Sequence, residues 1–84
     1  MNGSKLLKKF NIELEMECEK AGIYIEESDL HCNCWFYKFM CPLDGKKLYL
    51  ERSIRLDQIK SNGSKRLVVD MINDLIKDFK IINM

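Results

Sequence analysis

The sequence predicts an α+β fold: a small antiparallel sheet of three or four strands, with a C-terminal helix packed on one face. Three stretches carry this expectation. Residues 35–56, WFYKFMCPLDGKKLYLERSIRL, place an aromatic run and an alternating run on either side of a short glycine-containing turn, the pattern of a β-hairpin. Residues 64–82 repeat apolar side chains at helical spacing. Residues 10–19 alternate between apolar and polar without exception, the period of a half-buried strand.

The register of the hairpin follows from parity. Trp35, Tyr37, Phe39 and Cys41 share one face of the first strand, and Cys34, Phe36, Lys38 and Met40 share the other. A loop of even length sets Tyr37 and Phe39 beside Leu48 and Leu50, and Lys38 beside Glu51 or Tyr49. An odd loop would set Lys38 against Leu50, since a slip of one residue swaps the faces. The predicted core face is therefore Trp35, Tyr37, Phe39, Cys41, Leu48, Leu50 and Ile54, with Arg52 as its one misfit.

Near the N-terminus, Ser4 is a candidate cap for a short helix over residues 5–9. Phe10, Ile12, Leu14, Met16 and Cys18 then alternate with Asn11, Glu13, Glu15, Glu17 and Glu19. The competing element is one helix from Lys5 to Ala21, closed by Gly22, with Leu7, Phe10, Leu14, Cys18 and Ala21 as its stripe. That helix would leave Ile12 and Met16 on its back. Its lysines would sit at the positive end and its glutamates toward the negative end, with like charges at i and i+4. These penalties favour the strand.

After Lys20-Ala21-Gly22, the stretch Ile23–Glu27 predicts a further strand, and residues 28–33 a polar crossing. Residues 56–63 form a connection ending in the breaker Ser61-Asn62-Gly63. In the C-terminal helix, Ser64 is the candidate N-cap. Val68, Met71, Ile72, Leu75, Ile76, Phe79 and Ile82 form its stripe, which fits the core face of the sheet.

Eighty-four residues, 46% of them hydrophobic, make one domain with one modest core. The formal net charge is +1, which gives no global attraction to nucleic acid or membranes. No apolar segment resembles a signal peptide or reaches membrane-spanning length. A cytoplasmic protein with its four cysteines reduced is expected.

No constellation names a reaction. His31, Cys32, Cys34 and Cys41 are ligand-type residues, but no Cys-x-x-Cys pair is present. The single histidine has no nucleophile implied by spacing, and no glycine-rich phosphate loop occurs. Neither an enzyme nor a cofactor or metal site is expected.

Binding surfaces are the better candidates. As a strand, residues 10–19 would present Glu13, Glu15, Glu17 and Glu19 in a row spaced roughly 6.7 Å apart, twice the rise per residue. Such a row mimics a nucleic-acid backbone and suits the basic groove of a nucleic-acid-handling protein. The outer sheet face would carry Tyr24, Phe36, Met40 and Tyr49 with Lys38 and Glu51. A contiguous patch of this kind marks an interface, unless Leu6 and Leu7 fold over it. Basic clusters lie at Lys5/Lys8/Lys9, Lys46/Lys47 and Lys60/Lys65/Arg66, and Lys65 and Arg66 near a helix N-terminus suit a phosphate.

Two family resemblances follow. The acidic row and the outer aromatic patch are similar to surfaces of short accessory proteins of phages and mobile elements, including anti-CRISPR inhibitors. That resemblance implies a non-enzymatic module docking on a host protein, such as a nuclease of a defence system, through Glu13, Glu15, Glu17, Phe36, Met40 and Tyr49. If residues 5–21 are helical, the order becomes α-β-β-β-α. Glu15–Gly22, Phe36–Phe39, Asp44–Lys47 and Gly63-Ser64-Lys65-Arg66 then resemble a double-stranded-RNA-binding domain. This implies phosphates held by Lys65 and Arg66, and an RNA- or DNA-binding domain that uses Lys46, Lys47, Lys65 and Arg66. A homodimer that buries the outer sheet face is the third expectation.

Overall fold

A computed structural model describes residues 2–84, with side chains from Lys5 onward. The order is α1 (Asn2–Ala21), β1 (Tyr24–His31), β2 (Cys34–Leu43), β3 (Lys46–Arg55), α2 (Leu56–Asn62) and α3 (Ser64–Ile82). The strands form one antiparallel sheet in the order β1-β2-β3. α1, α2 and α3 cover one face, and the α+β class is as predicted.

The hairpin has the predicted parity. Asp44 and Gly45 form a two-residue turn with φ of 51° and 76°, the left-handed pair that suits the twist of a tight hairpin. Phe39 pairs with Leu50, Cys41 with Leu48 and Lys38 with Glu51. Tyr37, Phe39, Cys41 and Ile54 are buried against the helices. Trp35 lies parallel to Tyr37 with ring centroids 5.8 Å apart. Arg52 sits on this inner face and forms an ion pair with Asp78 of α3, so its charge is compensated rather than stranded.

Residues 10–19 correct the strand expectation: they are the second half of α1. Leu7, Phe10, Leu14 and Cys18 are at most 5% exposed, while Ile12 and Met16 are more than half exposed. Fully burying a large apolar side chain contributes about 1.5–3 kcal/mol. A strand would bury Phe10, Leu14 and Cys18 as well; the helix adds Leu7 and Ala21 to the same stripe, and the unfavourable charge order costs only about 0.3–1 kcal/mol per interaction. The alternation is a coincidence of numbering, because the buried positions 10, 14 and 18 and the exposed positions 12 and 16 are all even. Gly22, with φ 75°, ends the helix, and the Ile23 amide returns to the Cys18 carbonyl at 2.8 Å.

Two further segments differ from expectation. Residues 28–33 are not a crossing: β1 runs to His31, and a second two-residue turn at Cys32-Asn33, with φ of 49° and 62°, leads into β2. A bulge at Glu26 separates the two halves of the β1–β2 ladder. Residues 56–62 form α2, with Ile59 buried in the core and the Gln58 side chain accepting the Arg55 amide at 2.9 Å. The three-residue spacing of Leu56 and Ile59 ahead of Gly63 was the available signal for a helical turn. Leu7 lies in the inner core with Leu6 packed against it, so neither folds over the outer sheet face.

Candidate nucleic-acid interface

The site is built where α2 gives way to α3. Gly63 has φ 83°, a conformation that favours glycine. Its amide closes α2 on the Ile59 carbonyl at 2.9 Å, and its carbonyl accepts the Leu67 amide at 3.3 Å to open α3. Gly63, not Ser64, is the N-cap residue, and among the described residues no side chain caps this end. Ser64 instead donates its hydroxyl to Glu13 Oε1 of α1 at 3.3 Å. The amides of Ser64, Lys65 and Arg66 have no intrahelical partner, and they mark the positive end of a 19-residue helix.

Cations gather around that end. Lys65 and Arg66 are exposed, and Lys9 of α1 lines the same open hollow with Asn62 and Glu13. A second hollow between the helices is lined by Met16, Glu17, Lys65 and Val69. Unpaired amides at a helix N-terminus with two or three cations beside them suit an anionic oxygen. The Glu13 carboxylate in the wall opposes it.

The other named residues fall elsewhere. In place of a row, Glu13, Glu15 and Glu17 project from a helix that turns about 100° per residue. Glu13 and Glu17 share one side of α1, and Glu15 points another way, accepting a bond from Asn11 at 3.3 Å. The acidic row is thus corrected along with the strand that would have built it. Lys46 and Lys47 flank the β2–β3 turn, whose Asp44 accepts Asn83 from the C-terminal end of α3 at 2.9 Å. A helix of this length spans about 28 Å, so the two lysines lie at the opposite end of the domain from Lys65 and Arg66. Lys9, which the sequence placed in a separate cluster, joins them instead.

The outer sheet face holds Phe36, Met40 and Tyr49 as expected. Tyr24, Met40 and Tyr49 form one row across the three strands. Tyr24, Phe36 and Tyr49 are 54%, 47% and 47% exposed. The Lys38 ammonium lies over the Tyr49 ring, 5.2 Å from its centroid. At the far end of this face His31 and Asp29 make an exposed pair at 2.7 Å.

Burial sets the chemistry of the thiols. Burial first, then Glu15 and Glu17, pushes the Cys18 thiol up to about 12, and burial raises Cys41. The Tyr37 phenol is likewise raised by burial, with Glu15 and Cys18 adding to it. It donates to Asn11 Oδ1 at 3.0 Å. All four cysteines are free. Among the described residues, no three His, Cys, Asp or Glu side chains are grouped to hold a metal ion, and no helix is long and apolar enough to cross a membrane. No protein-family model, curated protein or solved structure matches the chain.

Proposed function

We propose that this chain binds double-stranded RNA, gripping backbone phosphates at the N-terminal end of α3. The observation that carries this reading is the convergence of Lys65, Arg66 and Lys9 on the uncapped first turn of that helix. The α-β-β-β-α order, with a short additional helix before the last, supports it through the resemblance to double-stranded-RNA-binding domains. A duplex offers phosphates on two strands, and cations on α1 and α3 suit neighbouring phosphates. Lys46 and Lys47 are too distant to join the same grip. Glu13 weakens the site, so Glu13→Gln should tighten binding.

A second reading is favoured by the exposed row Tyr24, Met40 and Tyr49 together with Phe36. Under it, the chain docks on a protein partner, such as a host nuclease of a defence system, with these side chains as anchors.

Titration of labelled duplex RNA by fluorescence anisotropy at low salt separates the two. Under the first reading, K65E/R66E loses binding by about 30-fold or more, while Phe36→Asp is unchanged. Failure of the wild-type chain to bind any duplex overturns it. Capture of a protein that survives nuclease treatment and is lost with Phe36→Asp would establish the second.

A further inference from the structure

The sheet is open at both edges, and the edges differ in character. β1 is broken by the bulge at Glu26 and carries Glu26, Glu27 and Asp29. β3 pairs with β2 without interruption over ten residues. The turn at Asp44-Gly45 makes Leu43 and Lys46 a hydrogen-bonded pair. Alternation then directs the amides and carbonyls of Lys46, Leu48, Leu50 and Arg52 to β2, and those of Lys47, Tyr49 and Glu51 outward. The Arg52 guanidinium agrees with this, since it reaches back to the Glu51 carbonyl at 2.8 Å. An open, regular edge of this kind is a template for a further strand.

The sequence along the edge says which strand. We propose that β3 pairs antiparallel with β3 of a second copy of this chain, with Tyr49 on the two-fold axis. In that register Tyr49 faces its own counterpart, Lys47 faces Glu51 of the second copy, and Glu51 faces its Lys47. On the inner side Leu48 meets Leu50 twice. Residues in direct register must share a sheet face, so only registers centred on a residue are allowed. Centring on Glu51 would oppose two carboxylates and place Lys47 against Arg55. Centring on Leu50 sets Lys46 against Ile54 and Leu48 against Arg52. Centring on Ser53 also forms two ion pairs, Glu51 with Arg55, but it overlaps only residues 51–55 of the strand, sets Arg52 against Ile54 twice and uses an Arg55 already paired with Asp57. The register on Tyr49 forms its two ion pairs over residues 46–52 with Leu48 against Leu50.

It also uses the backbone groups that point outward. Lys47, Tyr49 and Glu51 become hydrogen-bonded pairs across the axis, and the second lone pair of the Glu51 carbonyl is free to accept. Lys46 faces Arg52 twice in this register, its only like-charged oppositions, and each Arg52 is already held by Asp78. The product is a two-fold symmetric, six-stranded sheet with β1 of each copy at its two outer edges. On its outer face Tyr24, Met40 and Tyr49 of both copies would form one continuous apolar row. This interface uses an edge remote from Lys65 and Arg66, so it stands whether or not the chain binds RNA.

The test is sedimentation velocity of the full chain, without nucleic acid, over a wide concentration range. Wild type should show a concentration-dependent dimer. Lys47→Glu and Glu51→Lys should each raise the dimer dissociation constant by about tenfold, because each turns two cross-strand attractions into repulsions. The double variant K47E/E51K should restore the dimer, since the pairs re-form with signs exchanged. A chain that stays monomeric throughout, single variants that dimerise like wild type, or a double variant no better than the singles would each overturn the proposal.

Discussion

The two faces of β2 both carry aromatic side chains and differ in burial. Tyr37, Phe39 and Cys41 are 2%, 0% and 8% exposed, whereas their neighbour Phe36 is 47% exposed. One strand thus supplies the centre of the core and the centre of a free surface, through side chains one residue apart. Three helices lie against the first face and nothing covers the second among the described residues. Hydrophobicity alone does not separate core from surface here, since both faces carry aromatic residues. Parity and the position of the helices do.

The largest expected break comes from the core side. Phe39→Ala should lower unfolding free energy by about 3–5 kcal/mol in urea titration, because a large buried ring leaves a cavity. A loss below about 1 kcal/mol would mean that the helices do not close over this face.

Next comes pH. The Cys18 thiol ionises near 9 when exposed and at about 12 in the fold. Above pH 9 the unfolded chain has released a proton that the folded chain keeps, so stability falls as pH rises from about 9 through about 12. Tyr37, also raised by burial, adds to the fall. Urea midpoints across this range should decline, and Cys18→Ala should decline less steeply.

A smaller effect is expected at Asp78. Asp78→Asn removes the charge facing Arg52, and both side chains are about one-third exposed, 32% and 39%. Solvent screening limits the loss to about 0.5–1 kcal/mol. The smallest change belongs to the outer face: Phe36→Thr, which keeps a strand-forming residue and adds no charge opposite Asp29, should alter stability by no more than about 0.5 kcal/mol. A large destabilisation there would erase the contrast between the two faces.

Much of this contrast is written in the sequence. The turn at Asp44-Gly45 and strict parity are enough to place Phe39 inside and Phe36 outside, and the stripe through Val68, Leu75 and Phe79 is enough to place α3. The first helix is harder, because its buried positions are four residues apart and all even, so a helical stripe with two exposed apolar residues imitates a strand. α2 is short and offers one buried residue, Ile59. The Cys32-Asn33 turn lacks the glycine that marks the other hairpin. Of the candidate site, Lys65 and Arg66 are legible from Gly63-Ser64 ahead of an apolar stripe. Lys9 is not, since its place beside them depends on α1 lying along α3, a tertiary fact that local periodicity does not carry.

The central functional claim is that phosphates are held by Lys9, Lys65 and Arg66 at the start of α3. Its most direct measurement is the salt dependence of duplex RNA binding by the wild-type chain and by K65E/R66E. Three phosphate contacts predict a slope of log affinity against log salt of about −2.7, at about 0.9 per contact, and the double variant should flatten it by about two. Binding that is insensitive to salt, or a slope unchanged by K65E/R66E, would contradict the claim and move attention to the outer face of the sheet.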